Sequence, residues 1–274
     1  MPRGIRARKD NVDAIAALAA VAETEDEIEA RISERFDILE SLTDSCISGN
    51  SRALIVSGPA GLGKSYTVEK KLEEWDPSGN NYAITKGYVR ATGLVKLLYA
   101  YREEGQVLVF DDADAIFFDD ISLNLLKAVC DTTERRVVSW LSEGRLLDEE
   151  TGELVPRSFE FNGTVIFISN YDFDAMIDRG HKLAPHLQAM VSRAHYLDLA
   201  MKSRRDYLVR IRQVVAQGLL DFLDIEEQAD VLTFIEAYSE SLRELSLRMA
   251  LKIASIRKTN NSNWGKVAKI TCCK

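Results

Sequence analysis

Eight consecutive residues, Gly58 to Ser65, have a spacing that can bind phosphate. A glycine is followed by four residues and then by glycine, lysine and serine. The glycines let the backbone turn tightly and aim its N–H groups at phosphate oxygens. Lys64 would contact the β- and γ-phosphates as a point charge, and the Ser65 hydroxyl would bind Mg²⁺. The predicted cofactors are therefore ATP and Mg²⁺, and the predicted nucleotide-binding residues are Gly58, Pro59, Ala60, Gly61, Leu62, Gly63, Lys64, Ser65 and Tyr66.

The segments on either side of this loop fit that chemistry. Residues 53–57 are an apolar, β-prone run, and residues 65–75 are compatible with a helix. A strand before the loop and a helix after it are the context that a phosphate-binding loop (P-loop) needs, and the helix adds its positive N-terminal end. A purely structural glycine turn is the alternative, but a Lys-Ser pair at this spacing has little structural purpose.

A second acidic motif supports nucleotide binding. The apolar run at residues 107–110 ends in Asp111 and Asp112. A buried strand of this kind carries its carboxylates to the edge of the sheet where phosphates bind. Asp111 would hold Mg²⁺ directly or through water, and Asp112 would polarise the attacking water, a task that Asp114 could share. An ordinary acidic turn is the alternative, since two more aspartates follow at 119 and 120.

Composition limits the class of protein. The chain has 274 residues, a mass of 30.8 kDa and 46% hydrophobic residues, which suits one core domain and a small second domain. It contains no apolar run of the ~20 residues needed to cross a bilayer, and its basic start lacks the features of a signal peptide. We therefore expect a cytoplasmic protein without membrane contact. The four cysteines match no zinc or disulfide pattern, so we expect them to be reduced and no metal besides Mg²⁺.

Charge is distributed unevenly along the chain. The net charge is −8, yet residues 241–274 contain eight basic residues and one acid, whereas residues 23–40 contain eight acids and two arginines. The basic end could contact nucleic acid, contact an acidic face of a neighbouring subunit, or be a solvated helical face. Charge alone leaves these three possibilities open.

Strands and helices alternate along most of the chain. The patterns predict helices over about 23–46, 65–75, 92–101 (capped by Thr92) and 121–130, and strands over 53–57, 82–85, 107–110, 164–168 and 195–199. This alternation favours an α/β fold, a three-layer αβα core with a parallel sheet. Everything beyond Lys202 is predicted to be helical. An apolar stripe places one of those helices over Leu242, Leu245, Met249, Ile253 and Ile256.

The predicted domains follow from these elements. We expect a basic flexible tail at 1–22, an N-terminal helix and linker at 23–50, a core at 51–202, and a helical lid with the basic segment at 203–274. A β-hairpin insertion is predicted at about 135–162, because two β-prone runs flank a turn-rich segment.

Four motifs in this order resemble those of the AAA+ family of P-loop ATPases, over roughly residues 40–260. They are GPAGLGKS at 58–65, VLVFDD at 107–112, ISN at 168–170 and MVSR at 190–193. The resemblance implies that Asn170 is sensor 1, which positions the lytic water. It also implies that Arg193 is an arginine finger, donated to the ATP of the neighbouring subunit. Asp112 departs from the family, which usually has glutamate there; the shorter side chain predicts slow hydrolysis or a need for a partner subunit.

The resemblance extends to the lid and the hairpin. Arg248 is similar to the sensor 2 arginine of the lid, and Arg243 is the competing candidate. The hairpin resembles an insertion before sensor 1 in one AAA+ branch, where it often faces a substrate. Substrate contacts through Arg135, Arg136, Trp140 and Arg145 are then expected; packing of this edge against a neighbouring subunit is the alternative.

An arginine finger that acts on a neighbour implies a homo-oligomer, usually a pentamer or hexamer. The resemblance therefore implies an ATP hydrolase that remodels or moves a macromolecular client. The basic segments slightly favour DNA, as for a replication motor or loader of phage or mobile-element origin. A protein-remodelling chaperone of the MoxR or unfoldase type is the first alternative; residues 86–89 are the nearest match to its pore loop. A slow, ATP-gated scaffold is the second alternative, and a small-molecule kinase is the weakest.

Overall fold

A five-stranded parallel sheet lies at the centre of the computed structural model, which describes residues 23–142, 144–148, 152–259 and 262–274. The basic tail predicted at 1–22 lies outside the described residues. The strands are β1 (Ala53–Ser57), β2 (Tyr82–Lys86), β3 (Val107–Asp111), β4 (Val137–Ser139), β5 (Ser158–Glu160), β6 (Thr164–Ser169) and β7 (His195–Asp198). The order in the sheet is β2-β3-β6-β1-β7, and β4 and β5 form a separate antiparallel pair.

Helices cover both faces of the sheet and form a separate layer at the C-terminus. They are α1 (Glu25–Ile47), α2 (Lys64–Trp75), α3 (Ala91–Ala100), α4 (Asp120–Val129), α5 (Phe173–Asp178), α6 (Ala184–Val191), α7 (Arg204–Val214), α8 (Ile225–Ala237), α9 (Leu247–Thr259) and α10 (Trp264–Cys272). The C-terminal layer, α7 to α10, is called the lid below. The predicted class, an αβα core with a parallel sheet and a helical lid, is confirmed.

The three central strands have no polar face. Every residue of β1, β3 and β6 is buried, because helices cover the sheet on both sides. One apolar cluster, which includes Leu98 and Phe167, fills the space on one face, and a second, which includes Ile32 and Leu72, fills the other. The lid has its own apolar cluster, around Ile253.

The acidic stretch at the start of α1 is used to hold the lid. Thr24 begins the helix with a reciprocal cap to Glu27, as a Thr-x-x-Glu pattern predicts. On the next turns, Arg31 forms ion pairs with Glu23 at 2.8 Å and with the buried Asp206 of α7 at 2.9 Å. Further pairs join Glu25 to arginines of α7. This segment therefore connects the core to the lid.

Two predicted details of the helices are wrong. Thr92 does not cap α3, which begins at Ala91 after Arg90 without a side-chain cap. Leu242 and Leu245 precede α9 and are not part of it. The reason is Ser246, whose hydroxyl accepts a hydrogen bond from the Met249 N–H at 3.1 Å and so starts the helix in the N-cap manner.

The predicted hairpin before β6 is present. Val137–Ser139 pairs with Ser158–Glu160, and an isolated bridge joins Leu147 to Leu154 nearer its tip. All four cysteines are buried and free. Within the described residues, no helix combines the length and apolarity that a membrane crossing requires.

Gly163 packs too closely for any side chain. A Cβ atom there would lie 2.4 Å from the Tyr101 carbonyl oxygen, whereas one on Gly93 in α3 would meet nothing nearer than 3.8 Å. We expect Gly163→Ala to lower the free energy of unfolding by about 1–3 kcal/mol. Gly93→Ala should raise it by up to ~1 kcal/mol, since alanine favours the helix. Urea denaturation measures both, and equal effects would contradict the close packing.

Candidate functional site

The P-loop joins β1 to α2 in a conformation that depends on glycine. Gly58, Gly61 and Gly63 have φ angles of 147°, 73° and 100°, which side-chain-bearing residues rarely adopt. Gly63 is the last residue before α2, so the first N–H groups of that helix face the loop. These free N–H groups and the helix dipole make the segment a candidate anion site.

Lys64 is buried inside the loop and bonded to three oxygens. Its Nζ donates to the carbonyl oxygens of Gly58 at 2.6 Å and Pro59 at 2.8 Å, and to Oδ1 of Asn170 at 2.9 Å. Burial lowers the pKa of Lys64 to about 8, although the nearby carboxylates of Asp112 and Asp111 act to raise it. A phosphate group would favour the charged form that burial disfavours.

Two predicted metal ligands lie together beside the loop. The Ser65 hydroxyl donates a hydrogen bond to Oδ1 of Asp111 at 2.8 Å, and Asp111 is nearly buried. Lys86, at the end of β2, lies 3.6 Å from Oδ2 of the same carboxylate. A hydroxyl and a carboxylate oxygen are the hard ligands that Mg²⁺ takes beside phosphates, so these residues fit the predicted metal.

The candidate water-activating group is held by the candidate sensor. Asn170 Nδ2 donates to Oδ1 of Asp112 at 2.6 Å, and its Oδ1 receives the Lys64 ammonium. Asp112 has a left-handed φ of 53°, the one positive φ outside glycine in the described chain. Asp114 instead accepts from Ser169 at 2.6 Å, and burial raises its pKa. Asp112 is thus the exposed carboxylate of the three.

One cavity of about 760 Å³ collects most of the predicted residues. Its volume is in the range of small-molecule sites. The predicted residues that line it are Gly61, Gly63, Lys64, Ser65, Tyr66, Asp112, Asn170 and Arg248. Asp111 does not line the cavity, but it accepts a hydrogen bond from Ser65, which does. Residues of α1 and of the lid form the remaining walls.

The lid contacts the P-loop directly. The Leu247 N–H donates to the Gly61 carbonyl oxygen at 2.8 Å. A Cβ atom on Gly61 would lie 2.7 Å from Cβ of Ser246 and 3.7 Å from Cγ of Arg248, so only glycine fits here. Arg248 thereby reaches the cavity from the start of α9.

Other predicted residues lie elsewhere. Arg193 follows α6, donates to the Ala189 carbonyl oxygen at 2.8 Å and does not line the cavity. Arg243 is also outside the cavity; its backbone N–H bonds to Cys272 in the lid. Ala60 is an exposed residue of the loop, whereas the Leu62 side chain is buried in the core.

The expected substrate role of the hairpin is wrong for Arg136. This residue is 6% exposed, donates to the carbonyl oxygens of Val129 and Gly163, and lies over the Phe161 ring. Trp140 packs against the core cluster, and Arg135 pairs with Glu160. Arg145 alone among the four expected contacts is exposed without a described partner. The hairpin base is therefore structural.

A buried arginine in the cavity wall belongs to none of the sequence motifs. Arg210 of α7 is 6% exposed, and its guanidinium carbon lies 3.5 Å above the centre of the Phe36 ring of α1. Gln213 bonds to it at 2.8 Å. No sequence signal distinguishes Arg210 from the other arginines of α7. Helical periodicity predicts only that Arg210 lies on the same helix face as Tyr207 and Val214.

The fold is that of RuvB-like P-loop proteins. Two solved structures of RuvB mutants from Thermotoga maritima align with TM-scores of 0.52 and 0.50, each at 13% identity. The alignments cover 91% and 88% of this chain and 72% and 68% of RuvB, respectively. At this identity the likeness establishes the fold, which agrees with the family that the motifs resemble.

The sequence relationship is to a phage protein. The chain is 39% identical over 256 residues to an uncharacterised 36.7 kDa protein from the nrdC–mobD intergenic region of Enterobacteria phage T4. The alignment covers 90% of this chain and 76% of the T4 protein. The chain belongs to the same family as that protein. No protein-family model matches the sequence.

The geometry separates the two candidate lid arginines. We expect Arg248→Met to weaken MgATP binding by about tenfold or more, because a cation facing the cavity is lost. Arg243→Met is the matched control and should change affinity less than about twofold. Titration with a fluorescent ATP analogue measures both. A loss of affinity in the control alone would reverse the assignment.

Proposed function

We propose that this protein is an ATPase of the AAA+ type that acts as an oligomer on a macromolecular client. The observation that carries the proposal is the single cavity in which Lys64, Ser65, Asp112 and Asn170 meet beside Asp111. Each of these groups has a distinct task in phosphoryl transfer, and their hydrogen bonds to one another bring them within reach of one ligand.

ATP binding is assigned to the loop and the lid. The P-loop amides and Lys64 bind the phosphates, while Arg248 holds them from the lid. Ser65 and Asp111 would hold Mg²⁺, which would neutralise charge on the phosphates. On nucleotide binding, Lys64 exchanges its bonds to the carbonyl oxygens of Gly58 and Pro59 for bonds to phosphate oxygens.

Water activation is assigned to Asp112. Its carboxylate is exposed to the cavity and held by Asn170 at 2.6 Å, so the amide can orient a water molecule while the carboxylate accepts its proton. Because aspartate is one methylene shorter than glutamate, we expect modest turnover. If turnover is negligible, this proposal becomes that of a slow, ATP-gated scaffold.

Arg193 is assigned to a neighbouring site. It lies outside its own cavity, on the segment between α6 and β7. We propose that it completes the site of the adjacent subunit in a homo-oligomer, a pentamer or hexamer, where it stabilises transition-state charge. This is how arginine fingers act when they are supplied by another molecule.

DNA or a nucleoprotein is the client we favour, with the phage relative as support for a role in phage replication in the host cytoplasm. Much of the basic C-terminal segment is exposed: Arg243, Lys252, Lys266 and Lys274, with Arg145 on the hairpin. Arg257 is instead held by Glu227 and Asp230. The second candidate is protein remodelling, favoured by Tyr88, which is 75% exposed in the loop after β2.

Three variants separate the assigned roles. Lys64→Ala should abolish ATP binding. Asp112→Asn should retain binding and lower turnover by about 10²–10⁴. Arg193→Ala should retain binding and lower turnover by about 10³ or more. Equilibrium binding and phosphate release are the measurements, with Arg179→Ala as an exposed arginine control.

Mixing two inactive variants tests action between subunits. An Arg193→Ala subunit keeps Asp112 in its own cavity, and a neighbouring Asp112→Asn subunit can still donate Arg193 to that cavity. Mixed oligomers should therefore contain some complete sites and recover part of the activity. No recovery in oligomers shown to be mixed, or full activity of Arg193→Ala, would contradict the assignment to a neighbouring site.

The client is identified by stimulation of the ATPase. We expect duplex or single-stranded DNA to raise turnover severalfold at low salt and less at high salt, because phosphate contacts release counterions. The charge-reversed pair Lys252→Glu and Lys266→Glu should remove this effect. An unfolded protein that stimulates where DNA does not would favour remodelling. If neither DNA nor an unfolded protein raises turnover, the slow, ATP-gated scaffold is the function that fits.

A further inference from the structure

Arg210 is a buried cation without a carboxylate partner. Among the ion pairs of the described residues, none involves Arg210, although the other arginines of α7 at 204, 205 and 212 all pair with glutamates. Burial lowers its pKa to about 10, so it remains charged at neutral pH. A buried charge without an oppositely charged partner lowers the stability of the folded state. A functional role would explain why such a residue is present.

The guanidinium is fixed in place from two sides. Phe36 of α1 lies beneath it, and its Nη1 donates to Oε1 of Gln213 at 2.8 Å. Gln213 in turn donates to the Ser33 hydroxyl of α1. These contacts restrict the side chain to one orientation, so its position does not depend on a bound ligand.

A second donor of this group bonds to a carbonyl group of the P-loop. Arg210 Nε donates to the Leu62 carbonyl oxygen at 3.3 Å, next to the Gly61 carbonyl oxygen that receives the Leu247 N–H. Two successive loop carbonyl groups are therefore held by two different lid helices, α7 and α9. Arg210 Nη2 lies 3.5 Å from the place of a Cβ atom on Gly63.

Carbonyl contacts of this kind act on the amides inside the loop. Each carbonyl shares a rigid peptide plane with the next N–H group, so a donor on the Gly61 oxygen fixes the N–H of Leu62, and one on the Leu62 oxygen fixes that of Gly63. A hydrogen bond to the oxygen also polarises the N–H on the other side of the plane. Both effects strengthen an anion site.

We propose that Arg210 is a positioning residue that orients and polarises the P-loop through the Leu62 carbonyl group and links phosphate binding to the docked position of the lid. The proposal rests on the assignment of ATP to this cavity. It differs from a direct contact to the nucleoside, because the effect of Arg210 should reach any ligand that the loop amides bind, including a phosphate chain without a base.

The test compares Arg210→Met with the control Arg204→Met on the same helix. Methionine keeps apolar contact with Phe36 but loses the charge and the donors, whereas Arg204 is exposed and pairs with Glu240 inside the lid, so its loss leaves the contacts between α7 and α1 in place. Dissociation constants are measured by calorimetry for MgATP, MgADP and inorganic tripolyphosphate. We expect about tenfold weaker binding of all three to Arg210→Met and less than about twofold change for the control.

Thermal unfolding without ligand gives the second readout. Because an unpaired buried cation is removed, we expect the melting temperature of Arg210→Met to equal or exceed that of the natural protein. Arg210→Lys, which keeps the charge but not the planar pair of donors, should bind with intermediate affinity and serves as the test variant if methionine prevents folding.

Each other outcome overturns the proposal in a recognisable way. Weaker binding of ATP and ADP with unchanged tripolyphosphate binding would mean that Arg210 contacts the nucleoside. Unchanged affinities with a lower melting temperature would make the residue purely structural. If the natural protein bound none of the three ligands, the proposed ATP site itself would be wrong, whereas normal binding that is insensitive to Arg210 removes this inference alone.

Discussion

The parallel pairing of β1, β6 and β3 is the constraint on which the site depends. Ser57 is paired with Ser169 and Ile168 with Asp111, so the three strands end at one edge of the sheet. The P-loop, Asp112 and Asn170 follow directly from these strand ends. A slip by one residue would turn every side chain to the opposite face and separate the groups. Because the three strands are buried on both faces, a contrast between polar and apolar faces cannot fix the register, and close packing against the covering helices must do so.

The charges at this edge are balanced incompletely within the chain. Lys64, Arg210 and Arg248 bring positive charge to the cavity, and Asp111 and Asp112 bring negative charge. Burial lowers the pKa of Lys64 and raises that of Asp114, so both groups lie where burial opposes their charged forms. The phosphate chain and metal ion of the proposed function would supply both a negative and a positive charge at this edge.

The lid is connected to the core by contacts of different kinds. Ion pairs at the start of α1 hold α7, and one backbone hydrogen bond, from Leu247 to Gly61, holds α9 to the loop. The second connection lies at the cavity, which is lined by Gly61 and Leu247 but by none of the paired residues at the start of α1. If the protein is the ATPase proposed above, its site must be coupled to a part that moves, and we propose the Gly61 and Leu62 carbonyl groups as the points of that coupling.

The sequence by itself determined the fold class, the order of the elements and the groups of the P-loop and Asp111. These follow from local rules: glycine spacing, apolar runs that end in aspartate, and the alternation of strands with helices. It did not determine which arginines line the cavity. Arg136 belonged to the expected substrate contacts and is a buried structural residue, whereas Arg210 carried no signal and lies in the cavity wall. The start of α9 was also misplaced, because a serine cap overrode the apolar stripe. In each case the outcome depends on what surrounds a side chain once distant segments pack together, and only the tertiary structure decides that.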